Sequence, residues 1–185
     1  EDGRRRVRGK FKIGERPVIV YAGSVGTWYL LDEMVSFFQV ARRTLPELFF
    51  LILASGSSGT VWSALRKHEI DDRDAAVRWA QFEELPDYLS AADAGVAFIR
   101  PCFSKCSSSP TKYAEYLACG LPIVINGGIG DAEALVEQER AGVLVHSFEV
   151  QAYTQAIIEL RVQLSKDREA FRNVAEKHFS LSGRA

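Results

Sequence analysis

Short apolar runs alternate along this chain with longer stretches in which apolar residues recur every three or four positions. Pro17 to Ala22 is a continuous apolar run, the pattern of a strand buried on both faces, and the turn Gly23-Ser24-Val25-Gly26-Thr27 closes it. From Trp28 to about Leu45 the apolar positions Leu31, Met34, Phe38, Ala41 and Leu45 have helical spacing, with Asp32 and Glu33 suited to a first turn. The same alternation predicts strands over 48–54, 76–80, 95–99, 121–126 and 142–146, and helices over 60–67, 86–91, 131–138, 151–165 and 168–179. One more helix is sharply bounded: Ser109 is a good N-cap, Pro110 fits the first helical position, and Gly120 with Pro122 stops the helix about three turns later. Strands alternating with helices predict right-handed crossovers and a doubly wound α/β domain around a parallel sheet. Ligands of such sheets sit beyond the carboxyl ends of the strands, so the loops to watch are 23–27, 81–85, 101–109 and 127–131.

Composition narrows the class without changing the fold. The 185 residues, 47% of them hydrophobic, suffice for one well-filled core. A net charge of -1 offers no overall field for nucleic acid or an anionic membrane. The exception is residues 1–16, where Arg4, Arg5, Arg6, Arg8, Lys10, Lys12 and Arg16 outnumber the acids. Val7, Phe11 and Ile13 interrupt that run, which favours a short helix docked on the domain over a binding tail. Cys102, Cys106 and Cys119 leave an odd thiol, and a core of this size needs no disulfide, so a reducing cytoplasm is expected. The three histidines are far apart in sequence, which argues against zinc, and no run approaches the roughly twenty apolar residues of a membrane span.

The chemistry concentrates in 107–122. Helix N-terminal N–H groups and the positive end of the dipole would face Ser107, Ser108, Thr111 and Lys112, a cradle for phosphate. Glu115, one turn further in, could accept both hydroxyls of a ribose. The plainer alternative is a simple helix start with Glu115 solvated beside Lys112, a pair worth a few tenths of a kcal/mol, roughly. Gly23, Ser24 and Gly26 offer a second place where backbone approaches an anion closely, although a glycine turn between strand and helix is often only a turn. Trp28 and Tyr29, just after the glycine loop, could stack on a donor or an acceptor, but aromatics that open a buried helix suit packing better, and Asp71, Asp72 and Asp74 suit a solvated turn.

These residues resemble the carboxyl-terminal domain of the retaining GT-B glycosyltransferases of the group 1, family 4 type, over nearly the whole chain. Tyr21-Ala22-Gly23-Ser24 is similar to that family's first strand and glycine loop. Ser109-Pro110-Thr111-Lys112, then Glu115 to Val124 with the Ala118-Cys119-Gly120-Leu121-Pro122 turn, is similar to its donor motif. The resemblance implies a Rossmann-like single GT-B half-domain over 17–185, preceded by a basic interdomain linker over 1–16. The resemblance implies that Glu115 holds the ribose of a nucleoside-diphosphate sugar, that Ser109 to Lys112 and Gly23 to Ser24 hold the phosphates, and that the loop 80–83, with Gln81 and Phe82, receives the base. Ser107, Ser108, Thr111 and Gly26 are read from the residues themselves as further phosphate contacts. Lys112 and Glu115 are the candidate catalytic residues.

The family's first glutamate, eight positions before the second, is Ser107 here, and its usual Arg and Lys near the glycine loop are replaced by Val25, Thr27 and Trp28. The expected function is transfer of a sugar, with retention, to an acceptor held by an amino-terminal domain absent from this chain. No metal or other cofactor is expected, and the isolated half should bind nucleotide but turn over poorly. Any membrane contact would come through the missing domain. Two rival readings share the fold: a nonenzymatic nucleotide-binding regulatory module, and half of a sugar-nucleotide epimerase.

Overall fold

The computed structural model describes residues 2–26, 28–55, 58–102, 111–130 and 132–180. Six parallel strands form one sheet in the order β3-β2-β1-β4-β5-β6, made of β1 (Val18–Ser24), β2 (Phe49–Ser55), β3 (Ala75–Arg78), β4 (Ala94–Ala97), β5 (Ile123–Asn126) and β6 (Gly142–Val145). The order reverses between β1 and β4, which is where a doubly wound sheet opens a crevice at its carboxyl edge.

Helices α1 (Asp2–Lys10), α2 (Leu31–Ala41), α3 (Ser58–Lys67), α4 (Leu85–Ala91), α5 (Thr111–Ala118), α6 (Ala132–Glu139), α7 (Val150–Gln163) and α8 (Arg168–Phe179) complete the described elements. The central strands are apolar throughout because helices cover both faces: Val18, Ile19, Val20 and Tyr21 of β1 and Ile123, Val124 and Ile125 of β5 are all buried. Among the described residues no helix is long and apolar enough to cross a membrane.

The pattern-based boundaries lie within a few residues of the observed ones, with one instructive departure. Helix α2 begins at Leu31 rather than near Trp28, because the preceding residues zip onto the end of β4. Arg100 N donates to Trp28 O at 2.8 Å, Leu30 N to Phe98 O at 2.9 Å, and Tyr29 bridges Ile99. That pairing leaves Trp28 41% exposed, so the expectation that it packs in the core is not met. The described part of α5 runs about two turns, from Thr111 to Ala118, and Gly120 ends it with φ +73.

Two side chains shape the crevice from below. Strand β1 pairs with β4 only at Ile19–Ala94 and Val20–Gly95. Just beyond, the buried Tyr116 hydroxyl of α5 stands between the strands, accepting from Ala22 N at 2.8 Å and donating to Val96 O at 3.4 Å. Its ring lies against Gly95, where any Cβ would collide with it. On the other side Asn126, at the end of β5, accepts from Ile99 N at 2.7 Å and donates to Ile99 O at 2.9 Å, holding the chain where β4 leaves the sheet.

The basic opening segment is helix α1, packed on α4. Arg4, Arg8 and Arg168 donate to the carbonyls of Ser90, Ala91 and Ala92, the unsatisfied acceptors at the carboxyl end of α4. Asp93 receives both Arg4 and Arg8 at 2.8 Å and Val18 N at 2.9 Å, so α1 is fastened to the start of β1 and to α4 at once.

Candidate functional site

Because the strands are parallel, the loop after β1, the loop after β3 and the first turn of α5 all lie at the carboxyl edge of the sheet. There they enclose a cleft of about 270 Å³. Its floor is Ala22, Leu53 and Ala54 at the ends of β1 and β2; one end is Gly23 with Thr111, Lys112 and Glu115, and the other is Trp79, Gln81 and Phe82. Residues separated by up to about ninety positions in sequence thus share one trough, with charged and hydroxyl groups at one end and aromatic rings at the other.

The aromatic end follows from where β3 stops. Trp79 leaves the sheet after Arg78 and is 63% exposed, while Phe82 opens a short tight helical turn, Phe82–Glu84, and is 80% exposed. Gln81 precedes that turn; its N–H donates to Glu84 Oε2 at 3.0 Å and its carbonyl accepts from Glu84 N at 3.0 Å. The rings are therefore presented by a braced backbone. Exposing two large aromatics costs apolar burial, and a flat ligand lying on them would recover it.

At the polar end, Lys112 extends across Gly23. A Cβ at Gly23, whose φ is +153, would meet the end of the Lys112 side chain and displace it from its present position. Nζ of Lys112 lies 4.2 Å from the centroid of the Tyr29 ring and 5.9 Å from that of Tyr21. Glu115, one turn along α5, is partly buried; loss of solvation raises its pKa above the usual carboxylate value, and the Lys112 charge opposes that rise. A carboxylate held partly out of water beside a hydroxyl-bearing ligand gains more from hydrogen bonds than a fully solvated one.

Of the residues singled out in the sequence, Gly23, Gln81, Phe82, Thr111, Lys112 and Glu115 line this one cleft. Ser24 lies at the end of β1, where its carbonyl accepts from the Tyr21 hydroxyl. Gly26 instead lines a neighbouring cavity of about 830 Å³, with Tyr29, Asp32, Ser63, Lys67 and Arg100. Ser107, Ser108 and Ser109 fall outside the described residues. One lining residue that the sequence did not single out is Trp79, which reads there as part of a strand; no local pattern marks it.

Residues 16–162 match the family model described as Glycosyl transferases group 1. Among curated relatives, the chain is 27% identical over 186 residues to a GDP-mannose-dependent alpha-(1-6)-phosphatidylinositol monomannoside mannosyltransferase of Mycolicibacterium smegmatis, covering 97% of this chain and 47% of that protein. It is 25% identical over 168 residues to the enzyme of the same description from Mycobacterium tuberculosis, covering 86% of this chain and 42% of that one. The chain therefore spans about half the length of the curated relatives it matches. Among solved structures, Anabaena HepE in complex with UDP and glucose superimposes with a TM-score of 0.76 at 16% identity, over 98% of this chain and 49% of that one. The pneumococcal O-GlcNAc transferase GtfA in complex with UDP and GlcNAc gives 0.69 at 20% identity, over 89% and 33%. The fold agrees with these glycosyltransferases, and the family match extends from the approach to β1 nearly to the end of α7. The chain belongs to the group 1 glycosyltransferases.

Proposed function

We propose that this chain is the donor-binding half of a glycosyltransferase that moves a sugar from a nucleoside diphosphate to an acceptor, with retention of configuration, the acceptor being held by a second domain. The observation that carries this reading is the single cleft joining Trp79 and Phe82 to Gly23, Lys112 and Glu115. In it the base lies toward the loop after β3, Glu115 accepts from the ribose hydroxyls, and the diphosphate reaches Lys112, Gly23 and the first-turn N–H groups of α5. First-turn N–H groups of a helix in general lack intrahelical acceptors and carry the positive end of its dipole. As the bond to the sugar breaks, negative charge grows on the leaving diphosphate, and a fixed ammonium with oriented N–H groups stabilises it without reorganisation. The reading asks for no metal, because Lys112 and the helix end supply the positive charge.

The relatives named above suggest which nucleotides to try first. The curated mannosyltransferases are GDP-mannose-dependent, and the solved neighbours hold UDP. Titration calorimetry of the chain with GDP and with UDP is expected to give saturable binding for at least one. Glu115→Ala is expected to weaken that binding about tenfold or more, since two hydrogen bonds to a carboxylate are lost. Binding of neither nucleotide, or equal binding by the variant, would overturn the assignment.

A further inference from the structure

Resting on that reading of the cleft, we propose that Tyr29 is a positioning residue for its cation: the face of the Tyr29 ring holds the Lys112 ammonium beside the Gly23 turn, where the diphosphate of a nucleotide meets it. The two side chains come from different elements. Tyr29 sits between β1 and α2, and Lys112 in the first turn of α5.

Lysine is a flexible point charge, and on an open surface it would seek a carboxylate or water. Here no salt bridge or hydrogen bond of Lys112 forms with any described residue, and Glu115 acts on it only at longer range. Instead Nζ lies 4.2 Å from the Tyr29 centroid and 5.9 Å from that of Tyr21, in a corner that the missing Cβ of Gly23 keeps open. The Tyr21 and Tyr29 rings pack against each other with centroids 5.9 Å apart, tilted by 57°. Ring faces attract an ammonium without neutralising it, so its charge remains available to phosphate oxygens. Confining the four-carbon stem also costs rotamer entropy, and the ring contact meets that cost before the ligand arrives.

The ring is itself on a rigid mount. Tyr29 N donates to Gly26 O at 3.0 Å, Leu30 N donates to Phe98 O at 2.9 Å, and Trp28 O accepts from Arg100 N at 2.8 Å. The backbone on both sides of Tyr29 is thus pinned to the end of β4. The hydroxyl of Tyr29 has no part in the proposal, which concerns the ring face alone.

The experiment compares diphosphate with monophosphate, since only the outer phosphate is to meet Lys112. UDP, GDP, UMP and GMP are titrated into the wild-type chain and into Tyr29→Leu, Tyr29→Phe and Lys112→Met. Tyr29→Leu is expected to lose about three- to tenfold in diphosphate affinity and to keep its monophosphate affinity within about twofold, while Tyr29→Phe stays near wild type. An unchanged or tightened diphosphate affinity in Tyr29→Leu, or an equal loss in Tyr29→Phe, would overturn the proposal. If Lys112→Met weakens diphosphate binding and Tyr29→Leu does not, this inference fails and the donor site stands; if Lys112→Met has no effect, the cleft assignment of Lys112 fails. Should Tyr29→Leu not fold, the wild-type chain decides by NMR. The Lys112 ε-methylene protons should be shifted upfield by the ring when free and move when UDP or GDP is added; ordinary solvated-lysine positions in the free chain would refute the contact.

Discussion

Glu115 carries the sharpest residue-level consequence. Its pKa is raised by desolvation, with Lys112 opposing, so the folded chain binds a proton more readily than the unfolded one. Its contribution to stability is therefore fully present below the unfolded glutamate pKa and is lost as pH rises through the higher folded value. Glu115→Gln, which cannot ionise, should be more stable than wild type at pH 7, with the gap closing as pH falls toward 4; urea midpoints of the two proteins across that range measure it. An acid kept at a cost to the fold is what a binding role for Glu115 predicts. Tyr116 is the structural counterpart. Tyr116→Phe leaves Ala22 N buried without its acceptor and should cost about 1–3 kcal/mol by urea denaturation.

Beyond the shared apolar core, a few polar side chains tie several elements together at once. Asp93 binds α1, the end of α4 and the start of β1 together, and Arg8 beside it is buried, its pKa lowered by that burial while Asp93 opposes. Asp93→Ala would leave the Arg8 guanidinium without its counterion, and we expect a loss of about 3 kcal/mol in urea denaturation, with α1 becoming the first site of tryptic cleavage. A loss below about 1 kcal/mol, with α1 still protected, would show that the α4 carbonyls alone hold the arginines. Helix α5 does for the cleft what Asp93 does for the opposite edge. Its buried face, Tyr113, Tyr116 and Leu117, anchors it, so that Lys112 and Glu115 are delivered to the rim from a rigid support.

For the molecule as a whole, the crevice between β1 and β4 is where strand order reverses, and the candidate cleft runs from there toward β3. A ligand bound only by the folded chain raises its stability by mass action, about 2.7 kcal/mol at a hundred times Kd. For a domain of this size that corresponds to a rise in Tm of roughly 5–10 °C. GDP or UDP at that concentration should produce such a shift in wild type and a smaller one at the same concentration in Glu115→Ala; a null result with both nucleotides would contradict the proposed function.

The alternation of strand and helix patterns sufficed to determine the doubly wound fold, because burial of one helix face or of a whole strand is written into local spacing. The runs Tyr21 to Ser24, Ser109 to Lys112 and Glu115 to Val124 likewise carried the family resemblance, since each is a local motif. Spatial neighbours were another matter. That Trp79 leaves the sheet and stays exposed, that Gly26 lines a different cavity from Gly23, and that Lys112 lies on Tyr29 all depend on strand order and on how far each strand runs before it ends. Those quantities follow from crossovers that bring together residues about eighty positions apart, and no window of sequence contains them.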